Sequence, residues 1–143
     1  MNEALIAAVA ALGGVVLGFF IRWGEFRRET RLAVYKEYLR ALVNLGRAAD
    51  VSNSCANADS KSLRRAIEKF EQEAINLRLV RTRRIRKTSE VAEEFINESV
   101  RPLVEGTATR DPSLGSLEAQ TLELARAIAV KAQRDISGFG LPI

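Results

Sequence analysis

The sequence predicts an all-α protein: an N-terminal transmembrane helix that continues into an antiparallel cytoplasmic bundle of about four helices. Three observations predict it. Residues 4–21 read ALIAAVAALGGVVLGFFI without a charged side chain, and the apolar residues after them recur at three- and four-residue steps. Nowhere do apolar and polar residues alternate as they do in a half-buried strand. At 143 residues the chain divides into an anchor at 1–23 and one bundle at 24–143.

As a helix rising ~1.5 Å per residue, the apolar run covers about 27 Å, close to the ~30 Å hydrocarbon thickness of a bilayer. Trp23 then falls at the interface, where amphipathic rings are enriched. A cleaved signal peptide fits poorly. No basic residue precedes the run, and Phe19, Phe20, Ile21, Arg22 and Trp23 are bulky where a peptidase needs small groups. Orientation follows from Arg22, Arg27, Arg28 and Arg31, all on the C-terminal flank. The positive-inside rule therefore predicts a single-pass protein with its N-terminus outside and the bundle, including Cys55, in the cytoplasm. Within the span, Ala10, Gly14 and Gly18 are four apart on one helix face, and Gly14 to Gly18 is a GxxxG match. Small residues at this spacing let two helices approach closely, which marks a helix-pairing face; the alternative is the ordinary abundance of Gly and Ala in membrane helices.

The first bundle helix runs on from the span, with Gly24 as a possible hinge. Its apolar face is Tyr35, Tyr38, Leu39, Leu42, Val43, Leu45 and Ala49, and its predicted end is near Asp50. Residues 51–60, VSNSCANADS, form the first break, because Ser, Asn and Asp side chains compete for backbone hydrogen bonds. A second helix, capped by Asp59 or Ser60, buries Leu63, Ile67, Phe70, Ala74 and Leu77. Val91, Phe95, Val100 and Val104 mark a third, which Pro102 must end or kink unless it sits early in a new turn. After a second break at 105–116, Leu117, Leu122, Leu124, Ala125, Ile128 and Ile136 mark a last helix that stops at Gly138 and Gly140. A long coiled coil is disfavoured by the two breaks.

Between the second and third apolar series lies RLVRTRRIRK, with Arg78, Arg81, Arg83, Arg84, Arg86 and Lys87 and no acid among them. Without these six the 22 basic residues fall below the 18 acidic ones, so the net charge of +4 comes from this segment. Three partners compete for it: anionic lipid, the acidic residues Glu90, Glu93, Glu94 and Glu98 that follow, and nucleic acid. Geometry favours lipid. A first helix climbing ~39 Å and an antiparallel second one descending ~30 Å return the run to the bilayer beside Arg22, Arg27 and Arg28. The helix dipole gives a structural reason for cations at that C-terminus. Arg81, Arg83, Arg84, Arg86 and Lys87 are the candidate anionic-surface residues. Nucleic acid is the least supported partner, since no base-stacking aromatic interleaves the run and no zinc finger can form.

No chemistry of catalysis is legible. There is no His and only one Cys, which removes the commonest general base, the commonest metal ligands and any internal disulfide. No phosphate loop, dinucleotide fingerprint or nucleophile elbow occurs, and the Glu-rich helices lack the histidines of a di-metal bundle. Cys55 has only Asp50 and Asp59 as near charged neighbours in sequence and reads as an ordinary loop residue.

The order of features resembles a group of short uncharacterised bacterial and phage-encoded single-pass membrane proteins. The residues that carry the resemblance are RRETRL at 27–32 leading to Tyr35 and Tyr38, EAINLRLV at 73–80 leading to Ser89, Glu90 and Val91, and AQRD at 132–135. The resemblance implies a span followed by bundle helices and no particular activity, and the basic residues 81–87 replace the shorter turn it leads one to expect. The predicted function is thus non-enzymatic and without cofactor: a bundle at the inner membrane surface that binds a protein partner or its own copies. The alternative is a mobile-element-encoded regulator or defence factor acting on nucleic acid or the membrane.

Overall fold

One helix organises the chain. In the computed structural model α1 (Asn2–Ser54) is continuous for 53 residues. The structure describes residues 2–54, 60–106 and 116–137, leaving aside the side chains of residues 2–6, 8, 9 and 54. Gly24 is not a hinge, because α1 passes through it without a break, and the helix runs beyond Asp50 to Ser54. The predicted loop residues Cys55 and Asp59, most of the second break and the stop at Gly138 and Gly140 lie outside the described residues.

The other helices are α2 (Ser60–Val80), α3 (Arg83–Phe95), α4 (Arg101–Glu105) and α5 (Leu117–Ser137), with a π-helical segment at Ile96–Val100 joining α3 to α4. The described residues thus form four helical runs and no strand, as an all-α bundle requires. α2 and α5 both pack antiparallel to α1. Tyr38 of α1 meets Phe70 of α2 with ring centroids 5.3 Å apart, and Arg27 lies near Arg81. On the other side Arg47 pairs with Glu118, and Tyr35 bonds to Asp135. α3 lies antiparallel to α2, joined to it by the Arg78–Glu93 ion pair as α4 is by Arg101–Glu71, and touches α5 through Lys131 and Thr88.

The α2 face is the predicted one: Leu63, Ile67, Phe70, Ala74 and Leu77 are all buried. The α3 face is not. Val91 is exposed and Phe95 only half-buried, while Ile85, Ser89, Ala92, Ile96 and Val100 are buried. The helix begins at Arg83, inside the basic run, and Ser89 occupies a core position that an apolar pattern passes over. Its hydroxyl is satisfied by donating to Arg86 O at 2.9 Å and accepting from Arg81 at 3.0 Å. Pro102 sits in the first turn of α4, the early position that the sequence left open to it. Proline lacks the N–H and crowds the carbonyl one turn back, and the wider π turn just before it relieves both demands. α4 ends at Gly106, whose φ of 67° is left-handed and whose N–H donates to Pro102 O.

α1 and α5 approach closely at Gly46. A Cβ there would lie 1.9 Å from Thr121 Oγ1. The N-terminus of α5 is capped from another helix: Asp50 accepts from the Leu117 N–H at 2.8 Å, the Glu118 N–H at 2.9 Å and the Ser116 hydroxyl. A carboxylate here satisfies orphan donors and opposes the positive end of the helix dipole.

Among the described residues no helix is long and apolar enough to cross a membrane. The predicted span at 4–21 extends over residues whose side chains lie outside the described set, so its described part is the shorter stretch 10–21.

Candidate functional site

The bundle covers α1 only from about residue 28 onward; residues 10–27 are exposed throughout. Val15 is 72% exposed, Phe20 65% and Phe26 63%. Free apolar side chains on all sides of a helix are costly in water, at roughly 25 cal/mol per Å². Ala10, Gly14 and Gly18 lie along this stretch, and a Cβ added at Gly14 or Gly18 would meet no atom within 4 Å. Among the described residues no other element packs on that face.

Where the exposed stretch enters the bundle, the antiparallel course of α2 brings Leu79, Val80 and Arg81 beside Trp23, Phe26, Arg27, Thr30 and Arg31 of α1. These residues line an open cleft of about 430 Å³. Its character is mixed: three arginines and no acid, with Trp23, Phe26 and Leu79 as the apolar part. The Arg27 guanidinium lies over the Trp23 ring, its Cζ 5.1 Å from the ring centroid. Leu79 is 81% exposed, although it follows directly on the buried α2 face. Sequence periodicity missed Leu79, Phe26 and Thr30. For Leu79 and Phe26 the signal was an apolar residue off the core face, which is meaningful only once the neighbouring helix is in place.

The basic run divides in two. Arg78 pairs with Glu93; Arg81, with its side chain 15% exposed, lies 3.5 Å from Glu90 and bonds to Ser89; Arg86 pairs with Glu90 at 2.9 Å. These three serve the packing of α3. Arg83, Arg84 and Lys87 are exposed and have no ion-pair partner among the described residues. The dipole argument holds for Arg78 in the last turn of α2 but reverses for Arg83 and Arg84, which stand in the first turn of α3 with no acidic residue there. Cations at a helix N-terminus cost about 0.3–1 kcal/mol each. The fold therefore gives no reason of its own for Arg83 and Arg84.

The interior holds a further polar set. Tyr35 donates to Asp135 Oδ2 at 3.0 Å in a buried setting, and burial together with that carboxylate pushes the Tyr35 hydroxyl far above its usual range. Burial does the same to Tyr38, helped by the charge of Glu93. The Tyr38 hydroxyl and one Glu93 oxygen are both buried without a hydrogen-bond partner in the described structure. Lys69, bonded to Glu73 at 2.6 Å, holds the Glu73 carboxyl below its usual range. A second opening, about 340 Å³ and almost wholly apolar, lies between α1 and α5 at Leu32, Leu39, Ala132 and Ile136. Among the described residues no group of three or more metal-ligating side chains converges. No protein family, curated protein or solved structure matches the chain.

Proposed function

We propose that the chain is a single-pass membrane protein: residues 4–21 cross the bilayer, and the bundle lies on its cytoplasmic surface, in contact with anionic lipid and with a protein partner or a second copy. The observation that carries this reading is the contrast within α1. One unbroken helix is packed on two sides beyond residue 30 and exposed on all sides over residues 10–27. A lipid environment removes the penalty of that exposure, and the sequence of the run has the length and lack of charge that lipid demands. Two further features support it. Arg22, Arg27 and Arg28 follow the apolar stretch, and the exposed Arg83, Arg84 and Lys87 belong to the end of the bundle nearest to it. Each cation close to an anionic leaflet gains about 1 kcal/mol, enough to offset its unfavourable place at a helix N-terminus.

Under this reading Ala10, Gly14 and Gly18 face lipid or a second span, and the bundle acts by binding rather than by chemistry. The test is extraction of membranes from cells making the full chain. The protein should stay in the pellet through alkaline carbonate and high salt and be released by detergent; release by salt alone would leave only a peripheral, charge-held protein. A Gly14→Ile, Gly18→Ile change should reduce crosslinking between spans, and unchanged crosslinking would remove the pairing face.

A further inference from the structure

We propose that the cleft between α1 and the C-terminal end of α2 is a binding site for one anionic phospholipid, held by its phosphate at Arg27, Arg31 and Arg81 and by an acyl chain along Phe26 and Leu79. The inference rests on the membrane reading above and gives it a specific ligand. Charge complementarity selects the occupant: three guanidinium groups line the cleft with no carboxylate among the lining residues, Glu90 lying outside it at 3.5 Å from Arg81, and planar guanidinium donors match phosphate oxygens. Arg81 is held in place by Ser89 and Glu90 rather than swinging free, and Arg27 is held on the Trp23 ring. Two of the three cations are thus preorganised, which reduces the entropy lost on binding.

Position and polarity exclude a purely aqueous ligand. The cleft begins at Trp23, directly after the apolar run, so its mouth stands at the depth of the headgroups when residues 4–21 span the bilayer. Phe26 and Leu79, 63% and 81% exposed, offer their apolar surface on the same opening, where a phosphate alone would leave them bare to water. A volume of about 430 Å³ is in the range of ligand clefts, large enough for a headgroup and the start of a chain.

The test is reconstitution of the full chain into vesicles containing phosphatidylcholine and phosphatidylglycerol, followed by flotation, then gentle detergent release and native mass spectrometry. The intact protein should float with the vesicles and keep one phosphatidylglycerol in preference to phosphatidylcholine. Arg27→Gln combined with Leu79→Glu, both at exposed positions, should cut that retention about tenfold while flotation is unchanged. Arg83→Gln, Arg84→Gln and Lys87→Gln together should leave retention within about twofold, because those cations are outside the cleft. Retention unchanged by the first set, or lost equally with the second, overturns the cleft as the site and leaves the anchor reading standing. A chain that does not float overturns both.

Discussion

Gly46 and Thr121 set the distance between α1 and α5: a Cβ on Gly46 would stand 1.9 Å from Thr121 Oγ1 and 2.9 Å from Thr121 Cβ. Glycine inside a helix costs roughly 0.5–1 kcal/mol against alanine, so its presence at mid-helix is explained by this close approach. Gly46→Ala should destabilise the bundle by about 1–3 kcal/mol through overpacking, read as a lowered denaturation midpoint with helicity retained. The double change with Thr121→Ala should recover part of the loss, since it removes the nearer contact and not the Cβ one; an additive double mutant would place the strain elsewhere.

The Asp50 cap makes a second prediction. Asp50→Ala leaves the Leu117 and Glu118 N–H groups without their carboxylate and should cost about 1–2 kcal/mol. Asp50→Asn should cost less, because the amide oxygen still accepts while the charge facing the dipole is lost. Chemical denaturation of both variants checks it.

Tyr35 and Tyr38 are the two tyrosines of the chain, and both are held protonated far above their usual pKa. The unfolded chain releases these protons near pH 10, while the folded bundle keeps them. Above about pH 10 the unfolded state therefore binds fewer protons, and stability falls as pH rises. The tyrosinate ultraviolet band should rise together with loss of helicity in an alkaline titration. Ionisation near pH 10 with helicity intact would contradict the burial of both hydroxyls. Glu73 acts at the opposite end. Its lowered pKa adds stability above the ordinary carboxylate range, and that stability is lost as pH falls through the folded value.

Arg83 and Arg84 should show a trade-off. Replacing both by Glu removes cations from the N-terminus of α3 and places anions there, so the fold should gain about 0.5–2 kcal/mol. Binding of the bundle face to anionic vesicles should weaken in the same variant. A fall in stability would mean that the two arginines hold the fold together.

These outcomes also explain what could be read from sequence. The α2 face was legible because five apolar residues at three- and four-residue steps dominate an otherwise charged helix. The third face was legible only at Phe95, Val100 and Val104, because α3 starts within the basic run with Ile85 buried and places Ser89 in the core. Thr121 and Asp135 are buried polar residues that no hydrophobic pattern marks; each is tolerated because a partner on its own helix or on α1 satisfies it. Of the candidate site, the basic run was legible from composition alone. Its division into Arg78 and Arg86 for packing, Arg81 for packing and the cleft together, and Arg83, Arg84 and Lys87 for the surface depends on which helix end each occupies.

Trp23 is the single tryptophan, and it stands where the exposed stretch of α1 meets the bundle. Its fluorescence in vesicles therefore tests the membrane reading most directly, using lipids that carry quenchers near the headgroup or deep in the acyl chains. The account predicts blue-shifted emission, quenched more strongly by the shallow label than by the deep one. Emission like that of a water-exposed indole, insensitive to either label, would contradict it.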